Sequence, residues 1–328
     1  FCSFITLVIP YSKKIIKIIF RFLIQNTCKL IFLCAINVKQ KKFNTENLNF
    51  SKPSIIISNH QSFVDILRML SLNKKLVLVV KDWVYNSFFF GRIVRLLDFI
   101  TISQKMEGNL DSIKELINSG YSIMIFPEGK RGLNEKLGRF HKGAFLIAEK
   151  FKLDITPILL HGYGNTIKKN QFLVNNSIMS YKVLPRISYE DKKFGIGYRE
   201  RTKKIKLYFS NELEKFYNER KDANYLFHEI KKNIEYKGRH IESQFKSIWK
   251  LENKYYSYFD KIIANNAKIY DIGCGYGFLS CFLYLRSNKR VIIGIDNDIN
   301  KVNIANEYFM FQNIENLRFK EKNINNLK

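Results

Sequence analysis

Short, fully apolar runs recur along this chain with helical stretches between them, and that alternation constrains the fold more than any other feature. SIIIS at 54–58, LVLVV at 76–80, FITIS at 99–103, YSIMIF at 121–126, DITPILLHG at 154–162 and YKVLPRI at 181–187 read as strands. Such runs are too short for helices and carry no polar alternation, so they belong to strands buried on both faces. Between them, 109–120 reads as a helix ending at Gly120, and 142–151 as another. Strand and helix in turn define an α/β fold class with a largely parallel sheet. After a charged helical stretch over 200–235 the pattern restarts with AKIYDIGCGYGFLS and RVIIGIDND, a strand, a Gly-rich turn, a helix and a second strand. Three segments are expected: 1–40, a membrane-associated N-terminal segment; 41–235, the first α/β domain; and 236–328, the start of a second, Rossmann-like domain. With 328 residues, two domains accord with roughly 100–200 residues per domain.

The N-terminal segment has its own pattern. Ile15, Ile16, Ile19, Phe20, Leu23 and Ile24 recur at helical spacing, with Lys13, Lys14, Lys17 and Arg21 elsewhere on the turn. A basic amphipathic helix of this kind suits the headgroup region of an anionic membrane surface; the alternative is a core helix covering a sheet. The opening FCSFITLVIP lacks an initiating Met, a basic leading region and a small-residue cleavage site. Its nine residues before Pro10 are too few to span a bilayer, and the reading is a chain anchored through an upstream span or bound peripherally.

Fifty-five Lys and Arg against 29 Asp and Glu give a net charge of +26. That charge suits an anionic partner, but Lys dominates Arg and aromatics do not interleave with the cations in a nucleic-acid-binding motif. Nucleic acid is not expected as a partner. Cys2, Cys28, Cys34, Cys274 and Cys281 show neither Cys-x-x-Cys pairs nor neighbouring His, so no metal site is expected and a reducing compartment fits.

Two blocks carry chemistry in the first domain. NHQSFVD at 59–65 places His60 after a strand and Asp65 five positions on. If the chain turns into a helix there, the carboxylate can hold one ring nitrogen and leave the other to take a proton from an attacking hydroxyl. FPEGKRG at 126–132 is a tight turn with exposed amides and two cations. In isolation the first block is equally a helix cap and the second an ordinary charged turn. Together with ITPILL at 155–160, in this order, they resemble the phospholipid/glycerol acyltransferase family, which includes lysophosphatidate acyltransferases. The resemblance covers about 52–187. It implies that His60 and Asp65 are catalytic, that Glu128, Gly129, Lys130 and Arg131 bind the acceptor, and that Pro157 lines the acyl-donor side. Acyl carrier protein or coenzyme A would bring the acyl group as a thioester to a lipid acceptor, a lysophospholipid, glycerol phosphate or relative, at the cytoplasmic face of the inner membrane.

One departure stands out. Between the first and third blocks, family members often carry an Arg after a strand, but FITIS is followed by Gln104 and Lys105. Lysine lacks the bidentate fork that suits phosphate, and Lys130 is the candidate compensating cation.

YDIGCGYG at 270–277 fits the Asp-x-Gly-x-Gly-x-Gly loop of class I S-adenosylmethionine-dependent methyltransferases, which it resembles, with Asp296 ending the next strand. The resemblance implies S-adenosylmethionine held by Asp271, Gly273, Gly275 and Gly277, with Asp296 on the ribose hydroxyls. A nicotinamide-binding unit fits less well, since its third glycine would fall at Phe278. Asn323 or Asn325 stands where an Asp often meets the adenine, and the domain is expected to be incomplete at residue 328. The fusion also resembles bacterial proteins that join a lipid transporter, an acyltransferase and a methyltransferase. Two readings stay open beside acyl transfer: methyl transfer by a longer parent protein, and a non-catalytic lipid-binding module.

Overall fold

A computed structural model describes residues 13–88, 90–101, 110–132, 137–166, 177–220, 227, 231, 238–307 and 315–323. The chain forms two compact units divided between Phe216 and Tyr217. The sequence reading put the division at 236. The dividing point lies within a long helix, whose Ile205, Phe209, Leu213 and Phe216 are buried; a helix of steady charge density gives no compositional sign of where its packing partners change.

The first unit begins with α1 (Lys13–Cys34) and β1 (Val38–Phe43), then β2 (Ile55–Ser58), α2 (Val64–Leu72), β3 (Leu76–Val80), α3 (Asp82–Tyr85), α4 (Gly91–Leu96) and β4 (Ile100–Thr101). It continues through α5 (Leu110–Asn118), β5 (Ser122–Ile125), α6 (Gly143–Lys150), β6 (Ile155–His161), α7 (Tyr163–Thr166), β7 (Ser177–Val183) and α8 (Gly197–Arg220). The seven strands lie in the order β1-β7-β6-β2-β5-β3-β4. All neighbours are parallel except β6 and β7. The central strand is β2, four residues buried on both faces between β5 and β6. Its run of β-branched isoleucines suits that position, and its carboxyl end delivers the chain directly to Asn59 and His60.

Strand β1, VKQKKF, departs from the expectation because it crosses the anticipated boundary at 40/41 and pairs with β7. Its lysines hid it. They suit an edge strand, where charge blocks pairing with another chain. Strand β7 starts at Ser177, earlier than the expected 181.

Helix α1 is amphipathic, and the face it turns to the protein mixes polar residues with the buried Cys28 and Phe32. Arg21 is buried, donates to the Leu97 carbonyl and to Asp98 Oδ2 at 3.3 Å, and stacks on Tyr121. Lys17 pairs with Asp98, and Gln25 donates to the Ser71 carbonyl. Ile18, Ile19, Phe22, Leu23, Leu30 and Leu33 are exposed. The opposite face is packed on the protein, where Cys28 and Phe32 are buried, so the helix both covers the fold and leaves an apolar strip outward. Residues 1–12 lie outside the described residues, and no described helix is long and apolar enough to cross a membrane.

The second unit contains α9 (Arg239–Ile262), β8 (Lys268–Ile272), α10 (Phe278–Arg286), β9 (Val291–Asp296), α11 (Ile299–Glu307) and β10 (Leu317–Glu321). Its three strands are parallel in the order β10-β9-β8. Arg290, just before β9, is fully buried, paired with Asp260 and donating to the carbonyls of Leu283, Ala264 and Ile263.

Candidate active site

Where β2 ends, the chain folds back on itself over six residues. Asp65, in the first turn of α2, is completely buried and directs Oδ2 at three donors: His60 Nδ1 at 2.9 Å, the Ser62 amide at 2.7 Å and the Gln61 amide at 2.5 Å. The hydroxyl of Ser62 accepts from the Val64 amide. The turn is thus a helix start capped from within, and the cap and the dyad are the same carboxylate. Burial pushes the Asp65 carboxyl up, and the hydrogen bond and charge of His60, then the amides, pull it partly back. A carboxylate accepting from Nδ1 leaves the His60 Nε2 lone pair available as a base.

Four further groups hold His60. Its ring stacks on Phe126, centroids 4.2 Å apart and planes at 20°. Its backbone amide donates to Glu128 Oε1 at 3.0 Å, and its carbonyl accepts from the Gly132 amide at 2.9 Å. The preceding Asn59 exchanges two bonds with Leu160 of β6, at 2.8 and 2.9 Å, extending the ladder by a side chain. Thus NHQSFVD, FPEGKRG and ITPILL meet at one place, as the strand order β6-β2-β5 requires.

Within the second block, Gly129 has φ +65°, a left-handed conformation, and a Cβ there would lie 3.1 Å from the His141 ring. Lys130 and Arg131 are exposed. Glu128 is not, and its second oxygen accepts from the Gly138 amide at 2.7 Å. Pro157 is buried in β6 opposite Ile57, just before the β7 ladder begins at Ile158; its missing N–H therefore interrupts no bond to β7. Gln104 and Lys105 lie outside the described residues.

Phe126, Asn59, Gly138 and Arg68 escaped the sequence reading as site residues. Arg68, one turn after Asp65, is buried and donates to Tyr163 Oη at 2.9 Å and Gln40 Oε1, with its guanidinium over the Phe32 ring at 3.8 Å. It links the α2 face that carries Asp65 to α1 and β1. An Arg at i+3 from a candidate catalytic Asp was the available signal.

In the second unit the Gly-rich turn lies between β8 and α10. Gly273, Gly275 and Gly277 all have positive φ, and a Cβ at either of the first two would meet nothing within 4 Å. A cavity of about 540 Å³ opens there, lined by Asp271, Gly273, Cys274 and Gly275 and by Gln244 and Glu252 of α9. This bare backbone beside a cavity fits S-adenosylmethionine, which when bound supplies an activated methyl group. Asp271 Oδ2 accepts from the Ser280 hydroxyl at 2.6 Å, and burial pushes its carboxyl up. Burial, and then the charge of Asp271, push the Cys274 thiol up to about 12. Asp296 accepts from the Gly275 amide at 2.7 Å and the Asp298 amide at 3.0 Å, so it braces the turn. The contribution of α9 was not anticipated; its aromatic positions Phe245, Trp249 and Tyr256 pack inward, and its polar positions reach the cavity as a consequence. Asn323 is exposed, and Asn325 lies outside the described residues.

The first unit is thus a largely parallel α/β sheet with a His-x-x-x-x-Asp dyad at the carboxyl end of its central strand, an arrangement able to deprotonate a hydroxyl. Comparison with known proteins is more specific. Residues 39–161 match the Acyltransferase family and residues 263–328 a methyltransferase domain family. A chloroplastic 1-acyl-sn-glycerol-3-phosphate acyltransferase of Arabidopsis thaliana is 36% identical over 124 residues, 36% of this chain and 35% of the relative. The human 1-acyl-sn-glycerol-3-phosphate acyltransferase alpha is 28% identical over 146 residues, 43% and 52% of the two chains. The crystal structure of the 1-acyl-sn-glycerophosphate acyltransferase of Thermotoga maritima shares the fold with a TM-score of 0.55 at 18% identity, covering 65% of this chain and 86% of that one. The first unit thus contains a stretch similar to the acyltransferase family, and the second a stretch similar to a methyltransferase domain. The chain spans about a third to a half of the length of the curated relatives it matches.

Proposed function

We propose that this chain transfers a fatty acyl group from a thioester to the hydroxyl of a lysophosphatidate-like lipid. The observation that carries the proposal is the His60–Asp65 pair, bonded at 2.9 Å with Asp65 wholly buried at the end of the central strand. In this reading His60 Nε2 takes the acceptor hydroxyl proton as the oxygen attacks the thioester carbonyl. The tetrahedral intermediate then collapses, expelling the thiolate, and the imidazolium returns the proton to sulfur. No enzyme nucleophile takes part. Arg131 and Lys130, exposed on the turn that grips His60, bind the acceptor phosphate, and the thioester carrier is acyl carrier protein or coenzyme A.

The lipid acceptor calls for a surface, and α1 supplies one. Its outward Ile18, Ile19, Phe22 and Leu23 lie in the acyl region of an anionic leaflet while Lys17 and Arg21 hold the helix to the protein. The expected site of action is the cytoplasmic face of a membrane. S-Adenosylmethionine is the cofactor of the second unit, bound along Gly273 and Gly275, with Asp296 toward the ribose.

The test offers acyl-carrier-protein and coenzyme A thioesters against lysophosphatidate, glycerol phosphate and a neutral monoacylglycerol in mixed micelles. Turnover confined to the phosphate-bearing acceptors is the expected result. Turnover of the neutral acceptor alone would refute the acceptor assignment, and a folded chain inert toward every pair would leave a lipid-binding module.

A further inference from the structure

Glu128 belongs to the block that the family resemblance assigns to acceptor binding, yet neither of its oxygens faces outward. Oε1 accepts from the His60 amide at 3.0 Å and Oε2 from the Gly138 amide at 2.7 Å. The side chain is 6% exposed. Gly138 is required for the second contact, because a Cβ there would lie 2.8 Å from Oε2. The carbonyl of His60 is gripped by the same turn, through Gly132 N at 2.9 Å. Both polar groups of that residue's backbone are therefore fixed by the FPEGKRG turn, and its ring rests on the first residue of the block.

Turning the carboxylate toward an acceptor would strand two amides, and an unsatisfied buried donor is costly. The charge is also wrong, since a carboxylate repels a phosphate ester at short range. We infer that Glu128 is a positioning residue: its carboxylate clamps the backbone of His60 to the loop at Gly138 and so aims the imidazole, leaving acceptor phosphate to Arg131 and Lys130. This rests on the acyl-transfer reading for its kinetic consequence, but the clamp itself is a property of the fold.

Glu128→Gln is the informative variant, because the side chain keeps its volume while its NH2 meets an amide N–H where an oxygen stood. Two measurements separate the outcomes. In amide hydrogen exchange, the variant should exchange faster than wild type at His60 or Gly138, whichever amide then faces the NH2, with distant amides unchanged; wild-type rates at both would overturn the clamp. In steady-state kinetics, kcat should fall by about 100-fold, the scale expected for a 1 Å misplacement, with acceptor KM within about 2-fold by the same principle of lost orientation without lost binding. Arg131→Ala should raise acceptor KM instead. A Glu128→Gln enzyme with raised KM and unchanged kcat would return Glu128 to acceptor binding and overturn the inference. If wild type shows no turnover with any acceptor, acyl transfer fails while hydrogen exchange still decides the clamp.

Discussion

Asp65 does two jobs with one oxygen, holding the His60 ring and capping the start of α2, and it does both where no water reaches it. The stability consequence follows from its raised pKa, caused first by burial. The folded chain holds the Asp65 proton to a higher pH than the unfolded chain does. Its contribution to stability is therefore fully present below the unfolded carboxylate value, about 3.9, and is lost as pH rises through the folded value. Glu128 is shifted the same way by the same cause. Urea midpoints measured upward through the acid range should fall less steeply in Asp65→Asn than in wild type, with the residual slope carried by Glu128. Parallel curves would show that Asp65 titrates alike in both states. At this scale the contact was legible from spacing, since His and Asp five apart after a strand can meet across one turn, but its catalytic reading came from the three blocks taken together. The roles of Phe126, Asn59 and Gly138 were not, because each depends on a partner at least 10 residues away, brought near only by the strand order.

Helix α1 shows how an element can be predicted correctly in type and still surprise in orientation. Its 3.6-residue periodicity was plain, but periodicity defines a face and not what the face meets. The decision came from Asp98, whose carboxylate draws Lys17 and Arg21 inward. The proposed membrane contact then rests on individual exposed side chains. Phe22→Asp should weaken binding to vesicles rich in anionic lipid by at least about tenfold, because burying one Phe is worth roughly 1.5–3 kcal/mol and 1.4 kcal/mol is a factor of ten. Thermal stability should barely change, as Phe22 is 53% exposed. Undiminished vesicle binding would remove α1 from the membrane contact. Strand β1 shows the reverse case: lysine-rich and without apolar alternation, it was invisible until β7 supplied its partner.

At the scale of the whole chain, two α/β units carry two unrelated sites, and the restart of the strand-turn-helix pattern at 268 announced the second. The division at 216/217 was not announced, because α8 is charged along its whole length. Separate sites predict separable defects. Gly277 has φ +73° and faces Phe319, whose ring would lie 2.4 Å from an added Cβ. Gly277→Ala should therefore weaken S-adenosylhomocysteine binding by about tenfold, given a left-handed penalty of roughly 1–2 kcal/mol, and leave acyl transfer intact. Loss of both would mean that the sites depend on one another. The central claim is that His60 is the base for acyl transfer, and the most direct test is thioester consumption in the presence of lysophosphatidate by wild type and by folded His60→Ala. The account predicts turnover in the first and a loss of at least about 100-fold in the second, the lower range for a general base. Equal turnover in the two would contradict it.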